Sequence, residues 1–191
     1  MTYVIGGTPR SGKTVVKNLI LERYKIPGFC TDYLRDAFGD EVPEFGIKYR
    51  MSDEEKSEIL WPYFKGILNQ RAKNYGDDLL IEGTNFLPKH MEEFQGDGRT
   101  RICFLGYAEI SPEEKFKSIR DNPSKEGEWT NDMSDQKLMT LVTEFIDISK
   151  YFKSECAKCG FRYFDTSRNF DEVIEQAVSY LIGRNGQNRV E

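Results

Sequence analysis

Gly7-Thr8-Pro9-Arg10-Ser11-Gly12-Lys13-Thr14 constrains this chain more than any other stretch, because it satisfies G-x-x-x-x-G-K-[ST] at every fixed position. It directly follows the apolar run Tyr3–Gly6 and leads into Val15, Val16, Leu19 and Ile20, spaced as one face of a helix. Strand, glycine-bearing loop and helix are the context that a Walker A loop requires. The glycines let the backbone turn its N–H groups inward around a polyphosphate, and the positive end of the helix points at the same anion. On this reading residues 7–14 (Gly7, Thr8, Pro9, Arg10, Ser11, Gly12, Lys13, Thr14) form the cradle. Lys13 meets the β- and γ-phosphates and the Thr14 hydroxyl sits on Mg²⁺. The bland alternative is a glycine-rich turn with a solvated lysine.

Short apolar runs alternate with amphipathic stretches, the pattern of an α/β chain with a mainly parallel sheet. The expected strands are Thr2–Gly6, Phe29–Thr31, Asp78–Glu82, Arg101–Gly106 and Phe161–Asp165. Ser52-Asp53-Glu54-Glu55 and Ser111-Pro112-Glu113-Glu114 have the form of capping boxes, so helices are expected from about 53 and 112. Apolar residues at three- and four-residue spacing predict a long helix from Ser134 to just before Gly160 and another from Phe170 to Gly183. The 13 Phe, 10 Tyr and 2 Trp supply bulky core material for the 191 residues.

Two further constellations fall at expected strand ends, where a parallel sheet places its ligand crevice. In Thr31-Asp32-Tyr33-Leu34-Arg35, an Asp can accept the proton of an acceptor hydroxyl, and an Arg one turn later can clamp an anionic group on the same substrate. The alternative is an N-cap Asp followed by an exposed Arg. In Leu79-Leu80-Ile81-Glu82-Gly83, the strand delivers Glu82 to the same edge, to orient the water shell of Mg²⁺ or to contact the acceptor. A carboxylate hydrogen-bonded to nearby backbone is the structural alternative.

The Walker A loop, Thr31-Asp32-x-x-Arg35, Ile81-Glu82-Gly83 and the closing Tyr163-Phe164-Asp165-Thr166-Ser167 together resemble the small P-loop kinases with a nucleoside-monophosphate-kinase-like core. Within that group they look like the branch containing 2-phosphoglycerate kinases, zeta-type toxins and polynucleotide kinase domains. The resemblance implies a three-layer P-loop NTPase fold with a five-stranded, mainly parallel sheet. It implies a single kinase domain over 1–183, an acceptor-binding helical insert at 39–75, a lid at 111–133 and a polar tail at 184–191. It implies Asp32 as catalytic base, Arg35 as a substrate-holding residue, and a lid arginine that stabilises charge on the phosphoryl group in transfer. The lid span offers one arginine, Arg120, beside Lys115, Lys117 and Lys125. The insert holds Lys48, Tyr49, Arg50, Trp61, Tyr63 and Phe64, which suit either an acceptor site or the insert's own core.

The expectation is an ATP- and Mg²⁺-dependent phosphotransferase acting on a hydroxyl or phosphate of a small molecule. The alternatives are a 5′-hydroxyl polynucleotide kinase and a nucleotide-sensing or toxin-type protein acting through a partner. A formal charge of −5 weighs against loose adhesion to nucleic acid or to anionic membranes. No signal-peptide pattern or membrane-length apolar run is apparent, so a cytoplasmic protein with reduced cysteines is expected. Cys156-x-x-Cys159 lacks a second ligand pair, and His90 is the only histidine. Asp36-Ala37-Phe38-Gly39 imitates a GTPase motif without the N-K-x-D that should follow.

Overall fold

The computed structural model describes residues 1–48, 50–73, 76–123 and 130–183. Tyr49, Lys125, part of the expected lid and the 184–191 tail lie outside them. Five strands, β1 (Thr2–Gly7), β2 (Gly28–Cys30), β3 (Leu79–Glu82), β4 (Thr100–Gly106) and β5 (Arg162–Asp165), form one sheet in the order β2-β3-β1-β4-β5. Every pairing is parallel. The order puts β1 at the centre, with Ile5 opposite Glu82 on one side and Cys103 on the other. The loop leaving β1 is thus flanked by the carboxyl ends of both neighbours.

Alternation along β1 sends successive side chains to opposite faces, and each face has its own core. Ile5 packs with Val16 and Ile20 of α1 (Lys13–Tyr24) and with Ile174 and Val178 of α7 (Phe170–Ile182). Val4 packs with Leu60 and Phe64 of α3 (Asp53–Lys73) and Phe152 of α6 (Asp135–Cys159). Helices therefore cover both faces, giving the three-layer P-loop architecture. The remaining helices are α2 (Asp32–Glu41), the short α4 (Pro88–Met91) and α5 (Pro112–Asp121).

Local signals account for most boundaries. The Ser111 box closes as expected, with Ser111 and Glu114 exchanging hydrogen bonds at the start of α5. Ser52 and Glu55 do the same before α3. Ser134 caps α6 by accepting from the Lys137 N–H, and Gly160 ends it in the left-handed region at φ 73°.

Several expectations shift. β2 runs 28–30 rather than 29–31, so Thr31 is released to start α2. The start of the expected insert, residue 39, falls within α2, and residues 53–73 form one helix despite Pro62. Phe64 is buried in the sheet's core against Phe86, and Trp61 stacks on His90 at 4.8 Å, so both pack against residues outside the 39–75 span. Asp36–Gly39 lies inside α2. Cys156 is buried in the core and Cys159 is held up at about 11 by burial and by Glu92, leaving no reactive thiolate in that pair. Among the described residues no cluster of His, Cys, Asp and Glu is arranged to hold a metal, and no helix is long and apolar enough to cross a membrane.

Candidate active site

The loop after β1 is shaped by backbone requirements that only particular residues meet. Gly7 has φ 122°, and a Cβ there would collide with the Leu105 carbonyl of β4. Gly12 has φ 99°, where a Cβ would press on Ile174 and Phe170 of α7. Neither position tolerates a side chain, so both glycines of the motif are fixed by sterics before any ligand is considered. Arg10 is held in the left-handed region at φ 60°. The loop is anchored from behind by a buried knot: Thr8 Oγ1 lies 2.8 Å from Ser149 Oγ of α6, which also accepts from the Tyr107 N–H at 3.1 Å.

Lys13 opens α1 and is 6% exposed. Its Nζ turns back on the loop, donating to the Gly7 and Thr8 carbonyls at 3.1 and 2.7 Å. Burial pushes its pKa down, opposed by the negative charges of Asp32 and Glu82. An ammonium desolvated in this way gains most from an anion placed in the loop. The Ser11 hydroxyl is also buried and has no hydrogen-bond partner among the described residues. These features fit a polyphosphate.

Glu82 ends β3 at 1% exposure. Its Oε1 accepts from Thr14 Oγ1 at 3.0 Å and lies 3.3 Å from Lys17 Nζ. A hydroxyl and a carboxylate side by side form the oxygen-only set that suits Mg²⁺ shared with phosphates, a hard cation that uses one or two protein ligands and keeps its waters. Lys17, one turn along α1, was not anticipated as the third member of this group.

Asp32 is not the N-cap of α2. Thr31 occupies that position without a side-chain cap, and Asp32 is the first helical residue. Its Oδ1 receives Arg35 Nη1 at 3.2 Å, Thr84 Oγ1 at 3.3 Å and the Thr84 N–H at 3.5 Å. Arg35 Nη1 also donates to Thr84 Oγ1 at 3.1 Å, while its Nε donates to Asp36 at 2.8 Å. Asp32 and Arg35 are thus brought together with Thr84, a residue the sequence argument did not single out. Thr31 passes so close to Gly83 that a Cβ on that glycine would clash with the Thr31 hydroxyl, which is how the two strand ends come together.

Two more residues join this end. Asn85 is fully buried, donates from Nδ2 to Ser57 Oγ at 3.5 Å, and has no partner for its Oδ1 among the described residues. Ser57 Oγ donates to the Asp53 carbonyl at 2.6 Å, tying the first turn of α3 to the end of β3. Burial raises the Asp53 carboxyl pKa, with Arg35 and Lys56 pulling it down and Asp32 pushing it up. In sequence Asp53 looked like an ordinary first-turn acid. Nearby, Phe29, Thr31, Leu34, Phe64 and Phe86 are among the residues lining an apolar pocket of about 280 Å³. Cys30 sits beside the carboxylates, and burial together with Asp32 and Glu82 raises its thiol to about 11, so it is a bystander.

Arg120 lies at the end of α5. Its Nη2 donates to Asp135 at 2.8 Å and to the Met133 carbonyl at 2.6 Å. Its Nε reaches Asp135 at 3.1 Å and its Nη1 the Thr130 carbonyl at 3.3 Å. The guanidinium braces α5 to the start of α6 in this structure and donates to no cradle residue.

No family model and no curated protein matches the chain. Solved structures do match it nearly end to end. Shikimate kinase from Bacteroides thetaiotaomicron superposes with a TM-score of 0.55 at 16% identity, covering 96% of this chain and 97% of that one. A gluconokinase from Sinorhizobium meliloti gives 0.54 at 16%, covering 95% and 91%. An uncharacterized protein from Eubacterium ventriosum gives 0.55 at 14%, covering 96% and 99%. The likeness is one of fold, and with the sheet order and the cradle it makes this chain a three-layer α/β protein of the P-loop type.

Proposed function

We propose that the chain is an ATP-dependent kinase that moves the γ-phosphoryl group to a hydroxyl or phosphate of a small-molecule acceptor. The observation that carries this reading is the placement of Asp32, bonded to Arg35 and Thr84, at the same sheet edge as the residue 7–14 loop. ATP supplies the phosphoryl group and Mg²⁺ offsets phosphate charge. Gly7–Gly12 and Lys13 bind the phosphates, and Thr14 and Glu82 hold the metal. Asp32 takes the proton of the acceptor hydroxyl as the new oxygen–phosphorus bond forms and ADP departs, while Arg35 holds the acceptor in line. The names of two structural neighbours, shikimate kinase and gluconokinase, support a small acceptor. The motif order also resembles that of 2-phosphoglycerate kinases and their branch. A charge of −5 favours a small molecule over a polynucleotide.

The test is ATP consumption against sugars, hydroxy acids, phosphoglycerates, nucleosides, nucleotides and short oligonucleotides, with Lys13→Ala as control. One acceptor consumed mole for mole with ATP, and not by Lys13→Ala, is the expected result. ATP binding without turnover on any acceptor, joined by a protein complex that nucleotide dissolves, would favour a sensor instead.

A further inference from the structure

α5 carries a charge that the site described so far does not use. Lys115 is 7% exposed, and its Nζ donates to the Arg10 carbonyl at 3.1 Å while lying 3.7 Å from the centre of the Tyr107 ring. The Tyr107 hydroxyl donates to the Pro9 carbonyl at 2.8 Å. Two successive carbonyls of the loop are therefore gripped from the α5 side, and the second belongs to Arg10, the residue in the left-handed conformation. Among the described residues no carboxylate is paired with Lys115. Glu114, beside it on α5, is engaged with Ser111 and Arg168.

A neutral donor would satisfy one carbonyl as well as an ammonium does, without the penalty of burying a charge. An ammonium belongs here if an anion arrives, and the loop it touches is built to enclose one. We propose that Lys115 is a nucleotide-binding residue whose ammonium, seated on the Arg10 carbonyl, answers the negative charge of phosphates held in the residue 7–14 loop. It thereby takes the place on this helix that the sequence suggested for Arg120. The inference rests on the ATP site proposed above.

The consequence is a proton count. Burial, then the Arg10 charge, lowers the Lys115 pKa to about 8. Phosphates bound nearby raise it again, so binding at pH 8 draws in about half a proton at this residue, and binding at pH 6 draws in almost none. ATP affinity accordingly weakens as the pH climbs above 8. Lys13 is also desolvated and touches the same loop, which is why the comparison is made against variants at position 115.

Titration calorimetry of the full chain with ATP and Mg²⁺, in two buffers of different ionisation heat at pH 6 and pH 8, measures this directly. Lys115→Met is expected to weaken ATP binding by about ten- to a hundredfold and to lose about half a proton of uptake at pH 8. Lys115→Arg should restore most of the affinity without restoring the uptake. A merely structural lysine would shift the melting temperature of the nucleotide-free chain and leave the proton count alone. Wild-type affinity and uptake in folded Lys115→Met would overturn the inference. If that variant does not fold, equal uptake by wild type and Lys115→Arg would overturn it. A wild-type chain that binds no ATP would instead remove the proposed function on which the inference rests.

Discussion

The two ends of the site are built in opposite ways. The nucleotide end is a contiguous run, residues 7–14, whose shape is set by backbone: two glycines that cannot carry a Cβ, an inward lysine and a buried serine. The proposed acceptor end is assembled from side chains distant in sequence, with Asp32 and Arg35 on α2, Thr84 and Asn85 beyond β3, and Asp53 and Ser57 on α3. A phosphate chain is one ligand with one shape, and a single loop can enclose it. An acceptor varies between enzymes of one fold, and a site made of separate side chains varies without disturbing the loop. Substitutions at the two ends should therefore separate cleanly in their kinetics.

Asp32→Asn carries the largest expected effect. It keeps the shape but cannot take the proton, so kcat should fall by roughly 10²–10⁴ with ATP affinity intact. An ATP affinity reduced as far as in Lys13→Ala would break the separation by placing Asp32 at the nucleotide end. Lys13→Ala comes next: losing a cation that faces the phosphates removes about 3 kcal/mol of transition-state stabilisation, a hundredfold or more in turnover. Near-full turnover in a folded variant would remove the kinase reading. Arg35→Lys keeps charge and loses the fork, so acceptor KM should rise by about tenfold while the ATP KM holds. The smallest effect is structural. Ser149→Ala should lower stability by about 1–2 kcal/mol, because it strands the Tyr107 N–H and the Thr8 hydroxyl in the core. That is a drop of several degrees in melting temperature for a chain of this size, readable without substrate.

The same contrast explains what could be read from the chain. The cradle, the strands and the capped helices announce themselves because each depends on residues within one turn or one strand: Gly12 before Lys13, Ser111 before Glu114, Gly160 after α6. Asp32 and Arg35 were legible as a pair because they lie one turn apart, although setting aside the cap reading required seeing Thr31 in the cap position. Thr84, Asn85 and Asp53 were not legible. Their part in the site comes from β3 lying between β2 and β1 and from α3 folding back over it, and no local pattern encodes those placements. Arg120 and Lys115 show the limit most clearly. Five residues apart on one short helix, one braces α6 and the other reaches the loop, and only packing distinguishes them.

The knot of Thr8, Ser149 and the Tyr107 amide carries a consequence for how such chains diverge. Thr8 is one of the variable positions inside the motif, yet its hydroxyl is fully enclosed and bonded to a residue 141 positions away. A chain that exchanged Thr8 for an apolar residue would leave Ser149 a bond short, and one that changed Ser149 alone would do the same to Thr8. Descendants should therefore keep a hydroxyl at position 149, because an apolar residue there strands the Tyr107 N–H whatever stands at position 8, and a hydroxyl at position 8 should be kept with it. A library randomised at both positions and selected for folding should recover hydroxyl pairs far more often than chains with an apolar residue at 149, so that a nominally free letter of the motif is tied to one buried serine of a remote helix.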